Sequence, residues 1–206
     1  MALHVVDHPI AHDLLLSLRD KATPSDTFRQ LARRLSLVLT LEATRDLETR
    51  STTVETPLGP ATGQRVATEV VVVPVLRAGL GMLDAVLELV PRARVGHIGL
   101  QRDEETAVAS KYYSKFPVGL ADARVLMIDP MLATGGSAVF ALDLLRDAGA
   151  RDIRLLCIVA APEGVRTVEA AYPKVHIYTP VVDAHLNAKR FIVPGLGDFG
   201  DRLYGT

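Results

Sequence analysis

Val125-Leu126-Met127-Ile128-Asp129-Pro130-Met131-Leu132-Ala133-Thr134-Gly135-Gly136-Ser137 runs from an apolar strand pattern through an acid into a glycine-rich helix start. Arg124 to Ile128 is a short apolar run, the pattern of a strand buried on both faces. Asp129 closes it, and Thr134-Gly135-Gly136-Ser137 opens a helical pattern that ends near Gly149. The glycines let the backbone approach a ligand closely, and the hydroxyls add donors. The first N–H groups of a helix lack partners within it and lie at its positive end, so such a turn suits a phosphate. Asp129, an acceptor at the strand's end, suits sugar hydroxyls. Together they fit a ribose 5-phosphate. The plainer alternative is an ordinary turn with a glycine-rich cap.

On either side, short apolar runs alternate with helical patterns, which predicts an α/β fold with a mainly parallel sheet. Val70-Val71-Val72-Val73 is a β-branched strand that leads through Pro74-Val75-Leu76 into Arg77-Ala78-Gly79-Leu80-Gly81 and a helix to about Leu89. Arg94 to Leu100 reads as another strand, followed by polar sequence from Gln101 to about Pro117. Ile153 to Ala160 and Val175 to Val182 read as the last two strands, with a helix starting at Pro162 between them. Upstream, Thr23 to Leu47 places Phe28, Leu31, Leu35, Val38 and Leu41 at helical spacing, with Arg29, Arg33 and Arg34 between them. This is a packing helix. The tail from Asn187, rich in Gly and Asp, predicts a loop-built lid. Ligands of open parallel sheets gather outside the carboxyl ends of the strands, and three turns here leave strand ends carrying Gly, Arg or Asp.

Composition narrows the function. The chain has 206 residues, 49% hydrophobic and 23% charged, with a net charge of −1. That excludes disorder and argues against a nucleic-acid partner, which needs a clustered basic surface. Cys157 is the single cysteine; it lies in an apolar run and reads as a buried inert thiol. The first residues do not read as a signal peptide, and no stretch reaches the roughly 18 apolar residues of a membrane span. The expectation is a cytoplasmic protein with no membrane partner. His4, His8 and His12 have helical spacing, but Pro9 intervenes and no helix signal covers them. His176 and His185 show no nearby partners. Gly195-Leu196-Gly197-Asp198-Phe199-Gly200 matches a dinucleotide fingerprint by letter only, since no βαβ unit follows it.

The stretch from Val125 to Ser137 resembles the phosphoribosyl diphosphate (PRPP) loop of type I phosphoribosyltransferases. Most of them carry two adjacent acids there; Asp129-Pro130 is the variant of the uracil phosphoribosyltransferases. Val73 to Met82 is similar to the family's pyrophosphate loop. Ala160-Ala161-Pro162-Glu163-Gly164 and Ile192 to Arg202 are similar to further family segments, in the expected order. The resemblance implies a parallel-sheet type I phosphoribosyltransferase fold, with helices on both faces and a C-terminal hood over the active site. Residues 1–206 would be one domain: a core of about 20–183, a hood of about 184–206 with the N-terminal arm, and a flexible hairpin at about 102–117.

The implied activity joins N1 of uracil to the ribose of PRPP, giving UMP and pyrophosphate. By the same resemblance, PRPP would be bound by Arg77, Ala78, Gly79, Arg102, Asp129, Pro130, Met131, Leu132, Ala133, Thr134, Gly135, Gly136, Ser137 and Asp198. Uracil would be held by Ile192, Gly197, Asp198 and Phe199, with backbone groups at Ile192 and Gly197 and the side chain of Phe199 lining the base. Arg77, Asp129 and Asp198 would stabilise charge and position the substrates. Mg²⁺ would be held mainly by PRPP and water, with no direct protein ligand. A GTP effector and a homodimer or higher homo-oligomer also come with the resemblance. Arg190-Phe191 departs from the family's Gly-Tyr and constrains the backbone at that turn.

Overall fold

The computed structural model describes residues 3–102 and 109–206, with the backbone alone at Arg102 and Ala109. The chain begins with β1 (Leu3–Val5), α1 (Pro9–Arg19), α2 (Ser25–Ala43), β2 (Thr49–Thr56), β3 (Gly59–Val66), β4 (Glu69–Leu76) and α3 (Leu80–Leu89). It continues with β5 (Arg94–Val95), β6 (His97–Arg102), β7 (Ala109–Lys115), β8 (Ala123–Ile128), β9 (Met131–Leu132) and α4 (Gly136–Asp147). Then follow β10 (Asp152–Leu156), β11 (Val159–Ala160), α5 (Pro162–Ala171), β12 (His176–Thr179), β13 (His185–Leu186), β14 (Ile192–Val193) and α6 (Phe199–Tyr204).

The main sheet runs β1-β12-β10-β8-β4-β6-β7, with β5 beside the start of β4. Its pairings are parallel except the last, β6 with β7. The α/β expectation holds. β8 and β4 lie at the centre because their residues are apolar on both faces. Val70, Val72, Leu126 and Ile128 pack with Phe28, Leu35, Met82 and Phe199 on one side. Val71, Val73, Val125 and Met127 pack with Ala138, Leu142, Val165 and Val168 of α4 and α5 on the other. Burying each such side chain contributes roughly 1.5–3 kcal/mol before entropy is counted.

The sequence reading differs from the structure in several places. Pro9 starts α1, because a proline lacks only an N–H that the first turn leaves unpaired anyway. His8 caps that helix: its Nδ1 accepts from Ile10 N at 3.1 Å. His176 does have a partner, with His4 Nε2 2.7 Å from its Nδ1. The expected strand at 153–160 is two pieces, β10 and β11, and the second belongs to a separate small sheet with β9. The β2–β3 hairpin gave no apolar alternation to read, because nearly all its residues are exposed.

The amino ends of the strands are tied shut by charge. Arg154 donates to Asp46 Oδ2 at 2.6 Å, to Tyr178 Oη at 2.7 Å and to the Ala43 carbonyl at 3.1 Å. Arg124 donates to Asp46 Oδ1 at 3.0 Å and also pairs with Asp152. Arg154's hydrogen bond, aided by Arg124, holds the Asp46 carboxyl down at about 2. A lowered carboxyl stabilises the fold above its unfolded value of about 4 and loses that contribution as pH falls through its folded value. The Asp46 side chain is 61% exposed, so water screens the effect. Asp46→Asn is expected to lower the urea midpoint at pH 7, with the gap to the parent closing between about pH 4 and pH 2. Equal midpoints at pH 7 would remove this pair from the fold's stability.

Candidate functional site

Two turns leave the carboxyl ends of neighbouring central strands. β4 and β8 pair in parallel with Pro74 opposite Ile128, so the turns start side by side. In the first, Gly79 N donates to Val75 O at 2.9 Å. A Cβ on Gly79 would stand 2.5 Å from the Ile128 carbonyl oxygen and 2.7 Å from Val75 N and O. Only glycine permits that approach. Arg77 is exposed on this turn, and Ala78 is half-buried. The Leu76–Arg77 peptide is cis, and the Arg77 carbonyl accepts from the Tyr204 hydroxyl at 3.2 Å.

The second turn is stitched to its neighbours through its backbone. Asp129 N donates to Leu156 O at 3.1 Å, and Pro130 O accepts from Ile158 N and Val159 N at 2.9 and 3.0 Å. Leu132 O accepts from Ala161 N at 2.8 Å, and Met131 and Leu132 pair in parallel with Val159 and Ala160. This leaves Asp129 half-buried at the strand end, followed by Ala133 and Thr134, also half-buried. Gly135 adopts φ 86°; a Cβ there would meet Thr167 Cβ at 2.7 Å and Gly164 O at 2.9 Å. No side chain caps α4 at Gly135. Gly136 is exposed and its N–H makes a long 3.4 Å contact with Thr134 Oγ1, while Ser137 is half-buried. The first amides of a helix lack partners within it and lie at its positive end.

The third part is the hood. β13 and β14 pair antiparallel, with Leu186 opposite Ile192. The chain then turns through the cis Val193–Pro194 bond, Gly195 at φ 58° and Gly197 at φ 84° into α6. Asp198 Oδ1 caps α6 by accepting from Asp201 N at 2.9 Å. Phe199 is 1% exposed, and its ring stands edge-on to Phe28 at 5.1 Å. The ring packs on Phe28 and ties the hood to the core. Glu163 Oε1 accepts from Leu186 N at 3.3 Å. Its own backbone amide, with that of Leu186, lowers the carboxyl's pKa against the effect of burial.

Two arginines that sequence reasoning left aside hold the hood down. Arg202 donates to Leu196 O at 2.8 Å, to Asp20 O at 2.6 Å and to Leu18 O, with its guanidinium 4.5 Å above the Phe28 ring. Arg29 donates to Leu203 O at 2.8 Å. Arg29 looks like a solvated residue of a packing helix, and nothing local in the sequence links it to residue 203.

Among the expected site residues, the backbone of Arg102 ends β6 opposite Ala109 of β7. Its side chain and residues 103–108 lie outside the described residues. Burial pushes the Cys157 thiol up to about 12, which suits an inert core residue. Among the described residues, no three His, Cys, Asp or Glu side chains gather as a metal site.

A glycine-rich helix start after an acid at the end of a central strand, with a C-terminal hood, marks the class of type I phosphoribosyltransferases. Solved members share the fold. Adenine phosphoribosyl transferase from Trypanosoma brucei, in complex with AMP, pyrophosphate and ribose-5-phosphate, matches with a TM-score of 0.62 at 12% identity, covering 96% of this chain and 88% of its own. The AQ2163 protein from Aquifex aeolicus matches at TM-score 0.94 and 36% identity, covering 99% of this chain and 98% of its own.

The chain belongs to the uracil phosphoribosyltransferase family, whose model matches residues 5–206. Relatives named uracil phosphoribosyltransferase include one from Halalkalibacterium halodurans, 49% identical over 99% of this chain and 98% of its own. Another, from Enterococcus faecalis, is 44% identical over 98% and 97%.

The departure at Arg190-Phe191 has a visible cost. Arg190 has φ 64°, the left-handed region, in a turn organised by Asn187, whose Oδ1 accepts from Lys189 N at 2.9 Å and Phe191 N at 3.0 Å. Arg190→Gly is expected to raise stability by about 1 kcal/mol by removing the Cβ clash of that region, read as a higher urea midpoint. An unchanged or lower midpoint would show that the turn carries no such strain. Gly135→Ala is expected to weaken PRPP binding by at least about tenfold, because the strained turn can no longer aim the α4 amides. Unaltered PRPP affinity by calorimetry would remove that turn from the site.

Proposed function

We propose that this chain transfers the 5-phosphoribosyl group of PRPP to N1 of uracil, giving UMP and pyrophosphate for pyrimidine salvage, with residues 1–206 acting as one domain. The observation that carries this reading is the close approach of Gly79 to Ile128 O. It sets an arginine-bearing turn directly beside a phosphate-type turn. One sugar phosphate and one pyrophosphate, joined through a ribose, fit such a pair of neighbouring sites.

The chemistry asks for charge stabilisation more than for a strong base. Breaking the C1′–O bond leaves pyrophosphate as a concentrated anion and the ribose as an oxocarbenium-like cation, so preorganised donors and positioning supply the rate. Arg77, with Ala78 and Gly79, offers a rigid donor fork and close backbone to the pyrophosphate, and Arg102 is assigned to the same group. The amides of Thr134, Gly135, Gly136 and Ser137 take the 5′-phosphate, and Asp129 accepts from the ribose hydroxyls, with Pro130 to Ala133 shaping the loop. Backbone groups at Ile192 and Gly197 read the base, and Asp198 reaches toward the PRPP side. Uracil presents a fixed acceptor-donor-acceptor edge. Cytosine reverses two of those positions and would leave buried groups unpaired, a discrimination on the order of 10⁴.

Mg²⁺ fits this setting. It keeps water and favours substrate phosphates over an all-protein cage, so it would be held mainly by PRPP and water, with no direct protein ligand. When bound, it would neutralise charge on the leaving pyrophosphate. Cytoplasmic location is part of this reading; no described helix is long and apolar enough to cross a membrane. A homodimer would cover the β2–β3 hairpin, a two-stranded unit that is marginal alone in water. For the GTP effector brought by the family resemblance, the cleft of about 770 Å³ lined by Arg50, Arg65 and Arg92 offers cationic walls.

The test is turnover of PRPP with uracil, hypoxanthine, orotate and cytosine in parallel, with released pyrophosphate quantified. Uracil alone is expected to be used efficiently. Arg77→Ala should lower kcat/KM for PRPP by at least about a hundredfold. Arg34→Ala, an exposed change on α2, should stay within about twofold of the parent. Arg29 on the same helix would not serve as the reference, since it donates to the Leu203 carbonyl. Equal turnover of cytosine and uracil, or equal kcat/KM for the Arg77 and Arg34 variants, would overturn the reading.

A further inference from the structure

One buried carboxylate grips the hood's base-reading turn. Asp183 has a side chain only 3% exposed. Its Oδ2 accepts from Gly195 N at 2.8 Å. Arg19, from the end of α1, forks onto both its oxygens, at 2.6 Å to Oδ1 and 2.9 Å to Oδ2. The same Arg19 Nη1 donates to the Gly195 carbonyl at 2.8 Å. Gly195 is thus held by its N–H and its C=O at once. It lies between Ile192 and Gly197, the residues assigned to the base.

The other end of the clamp reaches the phosphate turn. Leu132, in that turn, pairs with Ala160 of β11. Ala160 bridges in parallel to Val182, and its carbonyl accepts from Asp183 N at 2.8 Å. A continuous path therefore runs from Leu132 through Ala160 to Asp183 by backbone pairing, and on to Gly195 through the Asp183 carboxylate. We propose that Asp183 and Arg19 are positioning residues that set the spacing between the phosphate turn and the base turn, and thereby the preference for uracil over other pyrimidines. This rests on the uracil reading above and adds residues to which that reading gives no role.

The physical case is one of precision. Gly195 has φ 58°, and a Cβ there would collide with the Ile192 carbonyl. No side chain can stiffen this turn from within, so its shape is set by the groups that bond its backbone. A base read through peptide groups tolerates little displacement: a shift of about 1 Å can cost on the order of a hundredfold. Removing one partner of a buried pair strands the other charge, so milder changes are the informative ones. Arg19→Lys keeps the charge and loses the fork. Asp183→Asn keeps the shape and loses an acceptor.

The experiment is steady-state kinetics of the full chain, its Arg19→Lys and Asp183→Asn variants, and Arg34→Ala as reference, with PRPP, uracil and cytosine. Both clamp variants are expected to raise KM for uracil by about tenfold to a hundredfold, leave KM for PRPP within about threefold, and shrink the uracil-to-cytosine ratio of kcat/KM at least about tenfold. A merely structural role would move thermal stability or the active fraction and leave both KM values and the base ratio alone; that result overturns the clamp. If Asp183→Asn does not fold, Arg19→Lys decides by the same criteria. A parent protein that does not turn over uracil fails the functional reading itself. A parent that does, with variants of unchanged KM and base ratio, fails the clamp only.

Discussion

Everything at the carboxyl end of the sheet depends on how closely β4 and β8 and their turns approach one another. The strands are parallel neighbours in register, and the first turn passes so near the second strand's last carbonyl that a methyl group at residue 79 would not fit. Two turns, one carrying the Arg77 guanidinium and one opening α4, end up adjacent. A substrate with phosphate at both ends of a small sugar fits that juxtaposition, whereas two well-separated anion sites would serve two ligands. The β-branched run Val70–Val73 is buried on both faces and holds β4 in the sheet beside β8.

The two ends of the sheet are built on opposite principles. At the amino ends, Arg124 and Arg154 are nearly buried and their charge is answered by Asp46 and Asp152. At the carboxyl ends, the groups that matter are backbone amides, an exposed arginine and glycines whose side chains would collide. Rigidity comes from pairing at one end and from backbone stitching at the other. The small β9–β11 sheet does that stitching, because Pro130 and Leu132 spend their carbonyls on the neighbouring segment and leave the helix start facing outward.

The strand-turn-helix at 125–137 was legible because three signals coincide there: an apolar run, an acid and a glycine-rich cap. The turn at 77–79 was legible for the same reason, a buried strand ending in Arg and Gly. The hood was only half legible. Its glycines and prolines announce a turn, but the packing of the Phe199 ring on Phe28 does not show, because a lone aromatic after a capping Asp gives no sign of which way it faces. The clamp of Arg19 and Asp183 and the bond from Arg29 to Leu203 join residues more than 160 positions apart. Periodicity reports a residue's own element and not the distant carbonyl it will meet. Pro9 misled in the opposite direction: read as a break, it occupies the one helical position where a proline costs nothing.

In the proposed function the phosphate turn, the arginine turn and the hood surround a single nucleotide. A crystal structure with UMP bound tests it most directly. The 5′-phosphate should lie on the amides of residues 134–137 with the ribose hydroxyls at Asp129, and the uracil edge should lie within hydrogen-bonding reach of the backbone at Ile192 and Gly197. A phosphate bound away from the start of α4, or a base turned away from residues 192–199, would contradict it.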